Sequence, residues 1–255
     1  DAWGGLARIS LSNVDNETLS ELKTRYNAQG LVVNDVDLIM ADNSDIIETI
    51  SPQKSGGRFL IKYGNKSIRL WGQAVVGATK TFGDINDLIL KEGRNLTDFD
   101  EVNSSRVVVI GSIISEVLFG DNINPIEENI SINGNFMTVI GTFHPYTTDG
   151  VPVVAENNNN QHHLAIVTDD TSEHISGGEL FTRFGRIDQY WRKNMNIVMP
   201  ISTFSTLYRP DDTISSIEIR FKDSVDLEGY TERVKDSLRK SRAGYEDFEA
   251  DSQIG

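Results

Sequence analysis

The chain has 255 residues and carries 38 acidic against 24 basic side chains, a formal net charge of −14. That surplus argues against nucleic acid or anionic lipid as the main partner, since both repel an acidic surface. The length allows one large or two modest domains, the absence of cysteine excludes a disulfide scaffold and cysteine-based zinc sites, and no apolar run approaches the length that spans a bilayer.

Residues 6–12 alternate, Leu6 and Arg8 against Ala7 and Ile9, and predict a strand. Asp15 or Asn16 is placed to cap a helix running to about Gln29, with Leu19, Leu22 and Tyr26 on one face and Gly30 as the stop. Residues 31–40 are apolar and β-branched and predict a strand; residues 51–57, rich in Pro, Ser and Gly, predict a loop. Residues 58–63 and 66–76 read as a hairpin across Gly64-Asn65, with Phe59, Ile61, Tyr63, Ile68 and Leu70 alternating.

The densest stretch is 104–143. Residues 107–110 are a short apolar run that predicts a strand buried on both faces. Ser112 is expected to cap a short helix with Ile113, Ile114, Val117 and Leu118 on one side, ended by Gly120. Ile130 and Ile132 alternate with Ser131 and Asn133, and Phe136, Val139 and Ile140 form a second run. Asn133-Gly134 between them is a hairpin signal, because both central residues of a type I′ turn need positive φ.

Residues 144–194 read as a long irregular insertion holding Asn157–Asn160, His162-His163 and Gly177-Gly178, with the composition of a mobile loop. Ser202 is expected to cap a short helix over 201–208. Residues 213–221 alternate Ile214, Ile217, Ile219 and Phe221 as a strand, and 227–242 form a helix with Tyr230, Val234 and Leu238 on one face. No signal peptide heads the chain. It opens abruptly at Asp1 and runs out in a polar tail, 246–255, so a fragment of a longer protein is expected. The two ends carry matching strand–helix units. The expected fold class is therefore α+β, with residues 1–76 and 206–255 packed as one α/β subdomain and 77–205 inserted as a second, β-rich one.

The same stretches carry a resemblance. Val108-Val109-Ile110-Gly111, Leu118-Phe119-Gly120, Asn124-Pro125-Ile126, Ile130-Ser131-Ile132-Asn133-Gly134 and Phe136-Met137-Thr138-Val139-Ile140-Gly141 follow one another in order. Upstream stand Leu90-Lys91-Glu92-Gly93-Arg94 and residues 98–101; downstream stands Val198-Met199-Pro200-Ile201-Ser202-Thr203. Together these cover about half of the chain, and they resemble the extracytoplasmic core domain of MacB-type ABC transporter permeases, relatives of the lipoprotein-releasing permeases and of FtsX. One departure is visible: where the family usually has Gly-Lys after Asn-Pro-Ile, this chain has Glu127-Glu128.

The resemblance implies a porter-like subdomain made from both chain ends, an inserted sabre-like subdomain, and flanking transmembrane helices. It implies a bacterial inner-membrane protein with this part extracytoplasmic (periplasmic), working as a permease dimer with a cognate ATPase outside this chain. It further implies an adaptor of the membrane-fusion type, docked by Gram-negative members, and an exported substrate such as a peptide, toxin or drug.

No catalytic pattern is legible: no GxSxG elbow, no HExxH, no Walker A loop and no GxGxxG after a strand. No cofactor, metal or enzymatic activity is expected of this chain. Asp98, Asp100, Glu101, Glu116, Asp121, Glu127 and Glu128 read as a solvated acidic surface, since catalytic carboxylates need a fixed separation that no spacing here supplies. His162, His163 and His174 lie near Asp169, Asp170 and Glu173, yet neighbouring histidines in a strand point to opposite faces and no ligand spacing repeats. Asn-x-Ser/Thr triplets at Asn16, Asn65, Asn95, Asn103 and Asn129 read as by-products of an asparagine-rich composition.

One constellation stands against the acidic background. Phe181, Arg183, Phe184, Arg186, Tyr190, Trp191 and Arg192 mix aromatic and arginine side chains, the usual anchors of protein interfaces, and form a candidate partner-docking patch. The plainer alternative is that the aromatics face a core and the bases are solvated. Two other readings of the whole chain differ in job rather than in residues: a lipoprotein-releasing or FtsX-like permease domain, and a free-standing secreted binding module.

Overall fold

A computed structural model describes residues 7–146, 167–168 and 193–254. From the start come β1 (Ala7–Asn13), α1 (Asn16–Tyr26), α2 (Asp35–Asn43), β2 (Ile47–Ser55), β3 (Arg58–Tyr63) and β4 (Lys66–Trp71). Next come β5 (Val75–Ala78), α3 (Phe82–Ile85), β6 (Leu90–Gly93), α4 (Asp98–Val102), β7 (Val107–Ile110), α5 (Ser112–Phe119), β8 (Asn129–Ile132) and β9 (Asn135–Phe143). The rest are β10 (Val167–Thr168), β11 (Ile197–Pro200), α6 (Ile201–Tyr208), β12 (Ser216–Phe221), α7 (Leu227–Ser241) and β13 (Phe248–Ile254). This is a mixed α and β protein, and its contacts divide it into two compact units, residues 1–54 with 210–255 and residues 55–209.

The first unit interleaves the two ends of the chain. Its strands run β2-β12-β1-β13, each antiparallel to its neighbour, with Ala7 opposite Ile254 and Ile9 opposite both Ile219 and Ser252. Alternation buries Ala7, Ile9 and Leu11 on β1 and Ile217, Ile219 and Phe221 on β12. Ile39 of α2 and Val234 and Leu238 of α7 are buried as well, and α2 packs on α7. Each of these side chains larger than alanine contributes roughly 1.5–3 kcal/mol by leaving water.

Three expectations for this unit are corrected. The strand expected over 31–40 is a short bridge at Val32 followed by α2, because Asp35 accepts the Val32 N–H at 2.9 Å and opens a helix with acidic residues in its first turn. The loop expected over 51–57 lies largely in β2, where Pro52 sits opposite Ile217 without breaking the ladder. The polar tail ends as β13, paired residue for residue with β1. Helix α1 starts as expected, with the Asp15 carboxylate accepting the Thr18 N–H at 2.9 Å. It stops early, at Tyr26, because Asn27 turns left-handed (φ 58) and donates its N–H back to Leu22 and Lys23.

Buried charge ties these elements together. Arg242, just past α7, donates to both oxygens of Asp35 at 2.9 and 2.7 Å, to Asp247 at 2.5 Å and to the Gly30 carbonyl at 3.1 Å. Asp247 in turn accepts the Gly30 N–H at 2.9 Å. All three charged side chains are buried. Burial disfavours the guanidinium charge, but the two carboxylates outweigh it and lift the Arg242 pKa above its ordinary value. At the edge of the same unit the buried Lys54 ammonium donates to the Asp211 carboxylate at 2.9 Å and to the Asp211 carbonyl at 2.6 Å.

The second unit is built on the strand order β10-β4-β3-β8-β9-β7-β11-β5, with β6 on β9. Two of its pairs are parallel, β7 with β9 and β11 with β5. The β3–β4 hairpin turns at Gly64-Asn65 as expected, and β3 pairs with β8 (Ile61 opposite Ile132), so residues 58–71 pack in this unit. Both faces of the sheet are covered. Val108, Ile110, Ile197 and Met199 face a core shared with Ile114 and Leu118 of α5 and Phe204 of α6, while Val109 and Val198 face a second core with Phe82, Leu88, Leu96 and Phe143. Strand β7 is therefore buried on both sides, as its unbroken apolar run predicts. The hairpin between β8 and β9 turns on Asn133 (φ 49) and Gly134 (φ 82).

Candidate functional site

The sequence-predicted docking residues, Phe181, Arg183, Phe184, Arg186, Tyr190, Trp191 and Arg192, lie outside the described residues, as do His162, His163 and His174. The structure does describe both places where that stretch joins the body. After β9 the chain reaches Tyr146, and it re-enters at Lys193 just before β11. The fully buried Asn194 amide joins the two points. Its oxygen accepts the Tyr146 N–H at 2.7 Å and the Ser112 hydroxyl at 2.9 Å, and its nitrogen donates to the Tyr146 carbonyl at 3.3 Å. Lys193 lies 4.1 Å from the Tyr146 ring centre and donates to the Asn86 carbonyl at 2.8 Å.

This clamp explains one glycine. The Gly111 N–H donates to the Asn196 carbonyl at 2.8 Å, and a Cβ at Gly111 would stand 2.4 Å from the Asn194 carbonyl oxygen. Only glycine lets the backbones approach so closely. Ser112, expected as the helix cap, does not cap; Gly111 holds the cap position of α5, and the Ser112 hydroxyl is spent on Asn194. Sequence reasoning passed over Asn194 and Tyr146. The available signal was a pair of asparagines, Asn194 and Asn196, flanking Met195 just ahead of the apolar run 197–199, where a strand start offers a buried amide several backbone partners.

The other recurring motifs meet at a second node. Gly93 and Gly141 are opposite each other where β6 pairs antiparallel with β9: a Cβ at Gly93 would lie 2.1 Å from the Ile140 carbonyl oxygen, and one at Gly141 would lie 2.3 Å from that of Arg94. Arg94 grips Asp100 through two bonds of 2.8 and 3.2 Å, and Asp100 closes a capping box with Thr97 at the start of α4. The Arg94 bonds, helped by Thr97 and opposed by burial, hold the Asp100 pKa down at about 2. Its neighbour Glu101 accepts the Ser202 N–H at 3.0 Å, and Ser202 donates its hydroxyl to the Glu101 carbonyl at 2.5 Å. Thr203 donates to the Ser105 carbonyl at 2.7 Å. The cap of α6 is thus supplied by Glu101 from another helix, where the sequence reading gave it to Ser202. Burial raises the Glu101 pKa, against the bonds from Ser202 and Ile201.

The remaining carboxylates do not converge. Asp98 pairs with Lys80 at 2.9 Å on the surface, Glu128 accepts the Tyr63 hydroxyl at 2.9 Å, and Glu116, Asp121 and Glu127 are exposed. Glu127 is informative in another way: it is left-handed (φ 70), a backbone conformation that favours glycine. In the first unit, a groove of about 580 Å³ between α2 and α7 is lined by Asp42, Arg233, Asp236, Arg239 and Lys240. Its cations are engaged: Arg233 with Asp45, Arg239 with Glu232, Asp236 and Glu246, and Lys240 with Asp42. Among the described residues no group of His, Asp or Glu side chains is arranged to hold a metal ion, and no helix is long and apolar enough to cross a membrane. What the motif residues do is structural: they bring backbones together and cap helices.

Residues 5–171 match the sequence model of the MacB-like periplasmic core domain. The macrolide export ATP-binding/permease protein MacB of Aggregatibacter actinomycetemcomitans is 28% identical over 148 residues, which is 58% of this chain and 22% of that protein. This chain thus spans under a quarter of the length of that relative. Among solved structures, the periplasmic region of MacB from Actinobacillus actinomycetemcomitans superposes with a TM-score of 0.64 at 21% identity, covering 97% of this chain and 89% of its own. The extracellular domain of the noncanonic ABC-type transporter YknZ from Gram-positive bacteria gives 0.62 at 12% identity, covering 96% and 99%. At these identities the two structures speak for the fold alone.

Proposed function

The chain belongs to the family of MacB-like periplasmic core domains, and from that premise we propose that it is the outer lever of a transporter that expels a substrate already outside the inner membrane. The family is a non-catalytic one of ABC transporter permeases, and its members' core domains stand on the extracytoplasmic side. In the proposed cycle a cognate ATPase, outside this chain, changes shape with nucleotide, and the change passes through both chain ends into the outer domain. The unit made from both ends acts as the porter-like base and the inserted unit as the sabre-like lobe. Two permease copies work together, and a membrane-fusion adaptor docks on the Phe181–Arg192 stretch. The cargo is a peptide, toxin or drug.

The observation that carries this reading is the register of β1 and β13. Ala7 lies directly opposite Ile254, so the two ends of the described chain leave the same unit side by side. Motion delivered to both ends therefore arrives at one place. The test is slack. In the full-length transporter, a flexible Gly-Ser insert between each end of this domain and the membrane segment it follows or precedes should leave ATP hydrolysis in place while most substrate export is lost. Export that survives both inserts at the unmodified rate would sink the lever. In the same membranes Arg183→Glu combined with Trp191→Ala should lower adaptor capture; undiminished capture removes that stretch as the dock and leaves the lever standing.

A further inference from the structure

The ladder between β8 and β3 is only two residues long, Ile132 opposite Ile61 and Ser131 opposite Lys62. Beyond it, Asn133 continues the pairing with its own atoms. Its backbone N–H donates to the Leu60 carbonyl at 3.0 Å, its side-chain oxygen accepts the Leu60 N–H at 2.7 Å, and its side-chain nitrogen donates to the Arg58 carbonyl at 2.9 Å. Both atoms of the amide are thus directed at β3. Yet Asn133 and Gly134 are exposed, so water and base reach them freely. Asparagine before glycine is the pairing in which a backbone nitrogen most readily attacks a side-chain amide, since glycine offers no side chain to hinder it.

We propose that Asn133 is a deamidation site that the fold keeps silent by hydrogen bonding rather than by burial. In the reaction the Gly134 nitrogen gives up its proton to base and bonds to Asn133 Cγ. The Cγ–Nδ2 bond breaks, and ammonia leaves after taking a proton back from solvent. The resulting succinimide adds one water and opens to aspartate or isoaspartate. None of this starts while Nδ2 and Oδ1 hold β3. Once it has happened, the change sustains itself. The new carboxylate has no donor for the Arg58 carbonyl and sets a negative charge against it, and isoaspartate also lengthens the backbone of the turn. The strap between β3 and the β8–β9 hairpin is then weakened: the bond to the Arg58 carbonyl is lost and replaced by repulsion, while the Leu60 N–H keeps an acceptor.

The intact chain, held in mildly alkaline buffer either folded or unfolded in urea, is digested and mapped for aspartate and isoaspartate at position 133. Conversion should be about tenfold or more slower in the folded chain, the factor that two net hydrogen bonds supply. Equal rates in the two states overturn the protection. The converted fraction, separated by its extra charge, should show faster amide exchange over residues 58–62 and 129–138 than the unconverted protein, and Asn133→Asp should reproduce that gain. Exchange unchanged in both overturns the role of Asn133 as the strap.

Discussion

The two units hold themselves together by different means. The first carries 21 acidic and 11 basic side chains, and its distant segments are joined by buried charge: Arg242 between Asp35 and Asp247, Lys54 on Asp211. The second carries 17 acidic and 13 basic side chains and joins its segments mainly by close backbone approach at Gly93, Gly111 and Gly141. The difference follows from chain order. Residues at opposite ends of the sequence meet in the first unit, and long, strongly directed side-chain bonds select one partner across that separation. In the second unit the partners are strands of one continuous region, where backbone pairing and close packing fix the register and side-chain bonds such as those of Asn194 and Glu101 are added to them.

The largest expected effect breaks the first mode. Arg242→Ala leaves two carboxylates buried without their cation and should cost about 3–5 kcal/mol. Hydrogen exchange should rise across β1, β12 and β13 while β7 and β11 keep their protection; a uniform rise over both units would show that the division is not energetic. The second mode is broken by Gly111→Ala, whose Cβ would collide with backbone and not with a side chain that can yield. A loss of about 2–3 kcal/mol in denaturant titration is expected, with exchange rising first around Tyr146 and Asn194; a change under about 0.5 kcal/mol would mean that the close approach is incidental. The smallest effect sharpens the comparison from the favourable side. Glu127→Gly removes the left-handed penalty on a residue with a Cβ and should stabilise by about 0.5–1 kcal/mol, net of the extra freedom glycine gains when unfolded. A lowered melting temperature would instead make the Glu127 side chain a contributor.

The second unit was the more legible in sequence for the same reason. A buried strand such as 107–110, a turn such as Asn133-Gly134 and a helix stop such as Gly120 are encoded by neighbours, so each could be read where it stands. The first unit was legible in β1, α1, β12 and α7, whose patterns are local, and not in α2, β2 or β13. Residues 31–40 read as a strand because Leu31, Val32 and Val33 are β-branched or apolar, whereas Asp35 starts a helix under the hold of Arg242, 207 residues away. The polar tail read as an ending because nothing in its composition betrays β1 as its neighbour. Caps failed in a like manner: Ser112 and Ser202 have the right chemistry in the right place, but Asn194 and Glu101, remote in sequence, decide how those hydroxyls are used. The docking residues of the Phe181–Arg192 stretch fall outside the described residues and stay a sequence-based proposal.

The pairing of β1 with β13 has a mechanical corollary. Seven residue pairs run from Ala7–Ile254 to Asn13–Phe248. A load that draws both tethers the same way, along the strands, is shared by the whole sheet, and no bond must part before the rest. A load that splays the tethers sideways falls on the Ala7–Ile254 pair alone and peels the seam open rung by rung. The seam is stiff to a tug and weak to a spread.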